Sequence, residues 1–381
     1  MSPAVDTVVV GGGIIGLAVA WRARQAGLSV TLLERDGTGE GTSHVAAGML
    51  APVAEVEFGE AGRRVLNLGL RSAALWPAFA AELEEAYGIE VGLRRSGTLV
   101  VARDDDEARE LERQIAFRDS LELSTERLLP SAAREREPAL APTVRLALHA
   151  PEDHSVDPRL VLAALRHACA QEGVVVREQA PVAAVECDEL GRAVCEDTAE
   201  TAPRVSGRVT GVLLEDGESI AAGQVVLAAG AWTSAVGLPP GASIPVRPVK
   251  GQILRLRDPA GPGLLNGVVR FQGGYLVPRG DGRYVLGATM EERGQDLHPT
   301  AGGVYELLRD AHDLVPGIED LQIEELNVGL RPSTPDNAPI IGPGALDGLV
   351  WATGHHRNGI LLAPLTAELV TRELTGAVAV S

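Results

Sequence analysis

Apolar positions come first as a short run, Val8–Val10, and again as Ser29–Leu33, with a helical stretch between them that reaches about Ala26. That order predicts strand, helix, strand. The turn entering the helix reads Gly11-x-Gly13-x-x-Gly16, and Gly27 stands where a helix C-cap belongs. Glu34 ends the second strand, 18 residues after Gly16. In such a βαβ unit the glycines permit a tight turn and close approach of backbone to a pyrophosphate. The helix N-terminus offers unpaired N–H groups, and an acid at this spacing can accept from a ribose 2′-hydroxyl. A 2′-phosphate would be repelled by Glu34, so NADP is disfavoured, while FAD and NAD both remain open.

Further along, the pattern predicts a helix over 62–86 closed by Gly88, a strand around Gly97–Val101, and a charged helix from Asp104 to about Asp119 whose acids favour its N-terminal dipole. Asp157-Pro158 reads as an N-cap with proline at the first helical position, opening a helix to about Gln171, and Val174–Val176 follows as a strand. Residues 188–208 read as a solvated hairpin extension. Val212–Ile220 is a hairpin with an acidic turn, and Val225–Trp232 a buried strand ending in small residues that leave room for a ligand. Ile244–Leu256, Gly273–Arg279 and Arg283–Met290 alternate as antiparallel strands do. The expected fold is α/β. A Rossmann-like nucleotide-binding domain, 1–86, 150–240 and 328–381, is interrupted by a discontinuous second domain, 87–149 and 241–327, built on a mostly antiparallel sheet.

Composition narrows the function. A net charge of −18 argues against nucleic acid, whose phosphates need a basic surface. No apolar segment reaches the about 18 residues of a membrane span, and the first residues carry no basic n-region, so a cytoplasmic protein is expected. Cys169, Cys187 and Cys195 are odd in number and lack metal-site spacing, so they read as reduced thiols. The basic residues are arginines except for one lysine, Lys250, to which the sequence assigns no role.

Several segments then occur in a telling order: G-G-G-I-I-G-L-A with L-L-E-R, T-S-H-V-A-A-G-M-L-A-P, V-V-L-A-A-G-A-W-T-S, Y-L-V-P-R, V-L-G-A-T-M, G-L-R-P-S-T-P-D-N-A-P-I-I-G and G-H-H-R-N-G-I-L-L-A-P. Together they resemble the D-amino-acid-oxidase-type flavoproteins, most closely the glycine oxidases of thiamine-thiazole synthesis, over essentially the whole length. The resemblance implies noncovalent FAD, a homo-oligomer, and oxidation of glycine or another small amine such as sarcosine or a small D-amino acid. Hydride would pass to the flavin. Dioxygen would act as oxidant, giving hydrogen peroxide, ammonia and a 2-oxo acid (glyoxylate from glycine).

By position, the resemblance puts Gly11, Gly13, Ile14, Ile15 and Gly16 at the phosphate turn, and Glu34 and Arg35 at the ribose. Thr42, Ser43, Ala47, Gly48 and Met49 fall in the loop passing the flavin, and Val182 on the adenine side. His355, His356, Arg357, Asn358, Gly359, Ile360 and Leu361 form the C-terminal flavin segment. Substrate contacts fall on Tyr275, Arg331 and Arg357, with Met290 beside the pocket. The Gly273-Gly274 pair ahead of Tyr275 departs from the family pattern and predicts a more open entrance.

Two histidines beside an arginine invite a metal reading. Adjacent histidines diverge, however, and no third ligand is near, so no metal site is expected. Asn358 instead reads as the N-cap of a helix from Gly359, whose positive end would stabilise charge on the reduced flavin. Arg331 can grip a carboxylate with two parallel charge-assisted bonds, Tyr275 adding a third donor. The alternative for Arg331 is a structural pair with Asp336. Hydride transfer from a neutral amine needs no nucleophile and no obligate base, so no catalytic residue is assigned. An amine dehydrogenase passing electrons to a quinone, or a flavin-binding module without turnover, are the competing readings.

Overall fold

The computed structural model describes residues 5–188 and 207–376. The predicted hairpin extension at 188–208 and Cys195 fall mainly or wholly outside them.

Two eight-stranded sheets organise the chain. In the first, Val5–Val10 lies between Ser219–Leu227 and Val30–Leu33, all parallel. Leu349–Thr353 and Val175–Arg177 extend the sheet in parallel on either side, and Ile340–Pro343 closes one edge antiparallel. The acidic hairpin predicted from Val212–Ile220 is present, Val209–Leu214 pairing antiparallel with Ser219–Leu227. Thr7–Val10 and Val30–Leu33 are buried without a break, mostly valine and leucine, as expected where helices cover a parallel sheet.

Those helices are Ile14–Gln25, Gly59–Tyr87, Pro158–Gln171 and Gly359–Thr375, and they share one apolar core with the sheet. Ile14–Gln25 is buried on nearly every side because sheet and helices enclose it. Trp76 meets Phe79 edge-on at 5.4 Å between ring centroids, and Phe79 meets Trp21 at 5.7 Å. The Trp76 indole and the Ser72 hydroxyl both donate to the Leu361 carbonyl, at 2.9 and 2.6 Å. The long helix Gly59–Tyr87 thereby locks onto the first turn of the C-terminal one.

In the second sheet the strands run Gln322–Ser333, Arg247–Arg257, Arg283–Gly287, Gly274–Pro278, Val268–Phe271, Thr98–Ala102, Leu146–Ala150 and Glu126–Leu128. Every pair is antiparallel except Val268–Phe271 with Thr98–Ala102, and that parallel pair joins chain segments far apart in sequence. The charged helix predicted from Asp104 is Asp105–Ser120, capped by the Asp104 carboxylate, which accepts from Asp106 and Glu107 N–H. Its surface is mostly solvated, but Arg118 is buried and donates to the carbonyls of Val53 and Ala54. Among the described residues, no helix is long and apolar enough to cross a membrane.

Candidate active site

A cavity of about 1160 Å³ runs between the two sheets. At one end lies the glycine turn. Gly11 has φ +106°, and a Cβ there would lie 2.5 Å from the Ala228 carbonyl oxygen; a Cβ on Gly16 would overlap the Gly11 carbonyl. Only glycine lets strand, turn and helix approach this closely. The first carbonyl to accept within the helix is Gly13, from Leu17 N–H, so the preceding N–H groups have no partner inside it. That of Ile14 donates to Ser43 Oγ at 3.1 Å. Glu34 accepts from Gly12 N–H at 2.6 Å and from Asp36 N–H at 2.9 Å, which fixes its carboxylate at the edge of the turn. Arg35 stacks over the Trp232 ring, 3.7 Å from its centroid, and Val182 lines the same end.

In the middle, the loop expected to carry Thr42, Ser43, Ala47, Gly48 and Met49 forms a short helix, Thr42–Val45, and a two-residue strand, Met49–Leu50. Thr42 Oγ1 donates to the Leu330 carbonyl and accepts from its N–H, at 2.9 and 3.1 Å, tying the loop to the second sheet. Arg279 donates to the carbonyls of Ala47 and Val156, at 2.7 and 2.8 Å, and Arg255 donates to that of His44. Burial pulls both guanidinium groups down to about 10. Arg279 was visible in the sequence only as the last letter of Y-L-V-P-R. Its task depends on a contact with a residue more than 200 positions away.

The far end is a face of the second sheet. Arg270 stands directly across from Tyr275, which stands across from Gly287, which stands across from Ile253. Alternate residues share a face, so Gly251 and Val249 continue it, and Arg331 is opposite Val249. Two glycines cut the seat. A Cβ on Gly251 would lie 2.5 Å from the Arg331 guanidinium, and one on Gly287 2.7 Å from the Tyr275 hydroxyl. Arg331 donates to the Thr289 carbonyl at 3.0 Å and, at 3.4 Å, to that of Lys250. No carboxylate pairs with it among the described residues, and Asp336 is bound to Arg64 at 2.6 Å instead. Burial raises the Tyr275 phenol, with Arg331 opposing. Arg357 is paired with Glu57 at 2.5 Å and lies 3.9 Å from Glu55. Met290 sits on the rim, 60% exposed, and Gly273 and Gly274 both border the cavity.

The C-terminal segment closes the cavity from the side. His355 is hydrogen-bonded to Thr366 Oγ1 at 3.0 Å and His356 to Ser333 Oγ at 2.5 Å. The two rings therefore diverge. Burial pushes both imidazoles down to about 3, aided at His356 by Arg357, Arg331 and Arg247, so both are neutral at ordinary pH. Among the described residues no three His, Cys, Asp or Glu side chains are grouped to hold a metal. Asn358 occupies the N-cap of Gly359–Thr375 but makes no side-chain capping bond. A 3-10 turn, His356–Asn358, leads straight into the helix, leaving Asn358 at φ −94°, ψ 11° rather than in the extended geometry that aims a cap at the first N–H groups.

Of the residues singled out in the sequence, Gly16, Asn358 and Leu361 do not line the cavity; the others do. Leu361 is buried with its carbonyl spent on Ser72 and Trp76. Sequence reasoning missed Gly251, Gly287, Glu55 and Arg270, all brought in by strand pairing or by the turn after the loop.

A glycine turn that only backbone fits, a helix N-terminus at the cavity and a fixed carboxylate suit a dinucleotide, and the cavity continues from them to an arginine that no carboxylate pairs with among the described residues. That arrangement defines a nucleotide-dependent oxidoreductase. Residues 6–373 match the family described as FAD dependent oxidoreductase (DAO), and the chain belongs to that family. It is similar to the glycine oxidase of Geobacillus kaustophilus, with 36% identity covering 97% of this chain and 94% of the relative. It is also similar to the bifunctional protein ThiO/ThiG of Synechocystis sp., with 38% identity over 96% of this chain; there it spans only 51% of the relative's length. Among solved structures, glycine oxidase from Geobacillus kaustophilus superposes with a TM-score of 0.87 at 34% identity, covering 99% of this chain and 96% of that one.

Proposed function

We propose that this FAD-dependent enzyme oxidises glycine and other small amines such as sarcosine, with dioxygen as oxidant, and serves thiamine-thiazole synthesis. From glycine, dioxygen and water the products are glyoxylate, ammonia and hydrogen peroxide. The observation that carries the reading is Arg331. It is a guanidinium laid over Gly251, beside the Tyr275 hydroxyl, and no carboxylate among the described residues pairs with it. A buried-end cation without a counter-ion suits a ligand that brings one, and an amino-acid carboxylate does so with matching planar geometry.

Noncovalent FAD would be held by Gly11, Gly13, Ile14 and Ile15 at its phosphates and by Glu34 and Arg35 at the ribose. Val182 would serve the adenine side, and Thr42 to Met49 with His355 to Ile360 the flavin. Bound FAD supplies the hydride acceptor. The chain's own residues do the rest: Arg331 and Tyr275 orient the substrate, Met290 covers the rim, and neutral His355 and His356 add no charge of their own. Arg357, already paired with Glu57, contributes less to the grip. The first sheet with its helices would be the flavin unit and the second sheet the substrate unit, with 328–333 counted in the second, where its strand pairs. A homo-oligomer of such units is part of this proposal.

The test is a visible spectrum of the purified protein followed by anaerobic addition of glycine. A flavin spectrum that glycine bleaches, with peroxide formed on admitting air, supports the reading. A flavin bleached only by sarcosine or D-proline would move the substrate. Bleaching by glycine without peroxide would replace oxygen by another acceptor.

A further inference from the structure

The clamp has a neighbour that the oxidation of glycine does not use. Arg270 faces Tyr275 directly across an antiparallel pair, so the two side chains leave the same face of the sheet side by side. It lies on the far side of Tyr275 from Gly287 and the Arg331 seat. Among the described residues, its guanidinium makes one long hydrogen bond, Nη1 to the Ala54 carbonyl at 3.4 Å, and its Nε stands 3.5 Å from Glu55. A guanidinium has five N–H donors, so most of its capacity is unspent where it borders the cavity. Glu55 does not neutralise it alone, because the same carboxylate also faces Arg357 at 3.9 Å. The cavity is open on this side, where Gly273 and Gly274 present no side chains.

We propose that Arg270 forms a second anion subsite beside the clamp, and that the enzyme accepts amino acids carrying a carboxymethyl group on the nitrogen or the α-carbon. This rests on the reading of Arg331 and Tyr275 as the clamp for the first carboxylate. With that group held, an extension of one or two bonds past the amine leads across Tyr275 towards Arg270. Glycine is too short to reach it. Glu55 competes with the incoming anion for Arg270 and sets a threshold: a second carboxylate gains by displacing a loose 3.5 Å ion pair, whereas a neutral extension gains nothing.

Two matched pairs of substrates test this: N-carboxymethylglycine against sarcosine, and D-aspartate against D-alanine. Each pair differs by one carboxylate. The quantity read is the ratio of kcat/KM within a pair, which does not depend on how well a variant folds or loads FAD. Arg270→Leu is expected to lower that ratio at least about tenfold for one pair or both, as loss of a charge-assisted contact does. Arg270→Lys should recover part of it. Glu55→Gln, which removes the competing carboxylate, should raise it. Ratios unmoved by Arg270→Leu, or wild-type protein that turns over the neutral substrates and neither dicarboxylate, would overturn the subsite while leaving the clamp standing. Failure of every amine, glycine included, to reduce the flavin would instead overturn the clamp and the subsite with it.

Discussion

Arg331 and Arg357 stand a short way apart at the same cavity, and only their partners distinguish them. Arg357 spends its charge on Glu57, whereas Arg331 faces backbone carbonyls and open space. Arg331→Ala should therefore raise KM for glycine by about 10–150-fold, the value of one to two hydrogen bonds to a charged group, with FAD content per chain unchanged. Arg357→Ala should change KM less than about fivefold. Steady-state kinetics on FAD-loaded protein checks both.

His355 carries a different consequence. Its folded value near 3 lies below the unfolded value of about 6.5, so the unfolded chain binds the extra proton as pH falls. The neutral ring's stabilisation is thus complete above pH ~6.5 and is lost progressively from there down to ~3. In urea unfolding, the stability advantage of wild type over His355→Gln should shrink by about 2 kcal/mol between pH 7 and pH 5. Taking the difference removes other groups from the comparison. One of them is the buried carboxyl of Asp153, which burial pushes up to about 7 and which acts in the opposite sense.

At the scale of elements, two helix starts that look alike in the sequence differ in the fold. Asp157 accepts from Arg159 N–H at 3.0 Å and is flanked by Arg279 and Arg283, while Asn358 makes no capping bond. Asp157→Ala should cost at least about 1 kcal/mol, and Asn358→Ala less than about 0.5 kcal/mol, measured as the shift in denaturant-derived stability. The helix periods, the Asp157-Pro158 start and the Gly88 stop could be read from the chain because they depend on neighbours within a turn. The fate of Asn358 could not. It follows from the 3-10 turn ahead of it, in which His356 sits at φ +47° and is hydrogen-bonded to Ser333, on a strand of the other sheet.

For the whole molecule, the cavity is a seam. Its turn belongs to the first sheet, its loop is fastened to the second by Thr42 and Arg279, and its far face is the second sheet itself. A ligand filling such a seam binds only the assembled fold. FAD at about 100 times its Kd should add about 2.7 kcal/mol to the unfolding free energy. Calorimetry should show one transition moving upward with FAD concentration; a midpoint indifferent to FAD would contradict a seam site.

What the chain's order of residues settled is whatever acts over a few positions: the glycine turn, the acid after the second strand, the helix limits, and the motif order that marks the family. A glycine fingerprint works through the backbone of its own turn, so it is complete within the stretch that spells it. The tertiary structure alone decided which partners the arginines at the cavity meet. Thirty-three arginines look equivalent in the sequence. Charge pairing acts through space, and it is the fold that assigns Asp336 to Arg64 and Glu57 to Arg357. The fold also sets Gly251 beneath Arg331, which no carboxylate meets among the described residues, and Tyr275 beside Arg270.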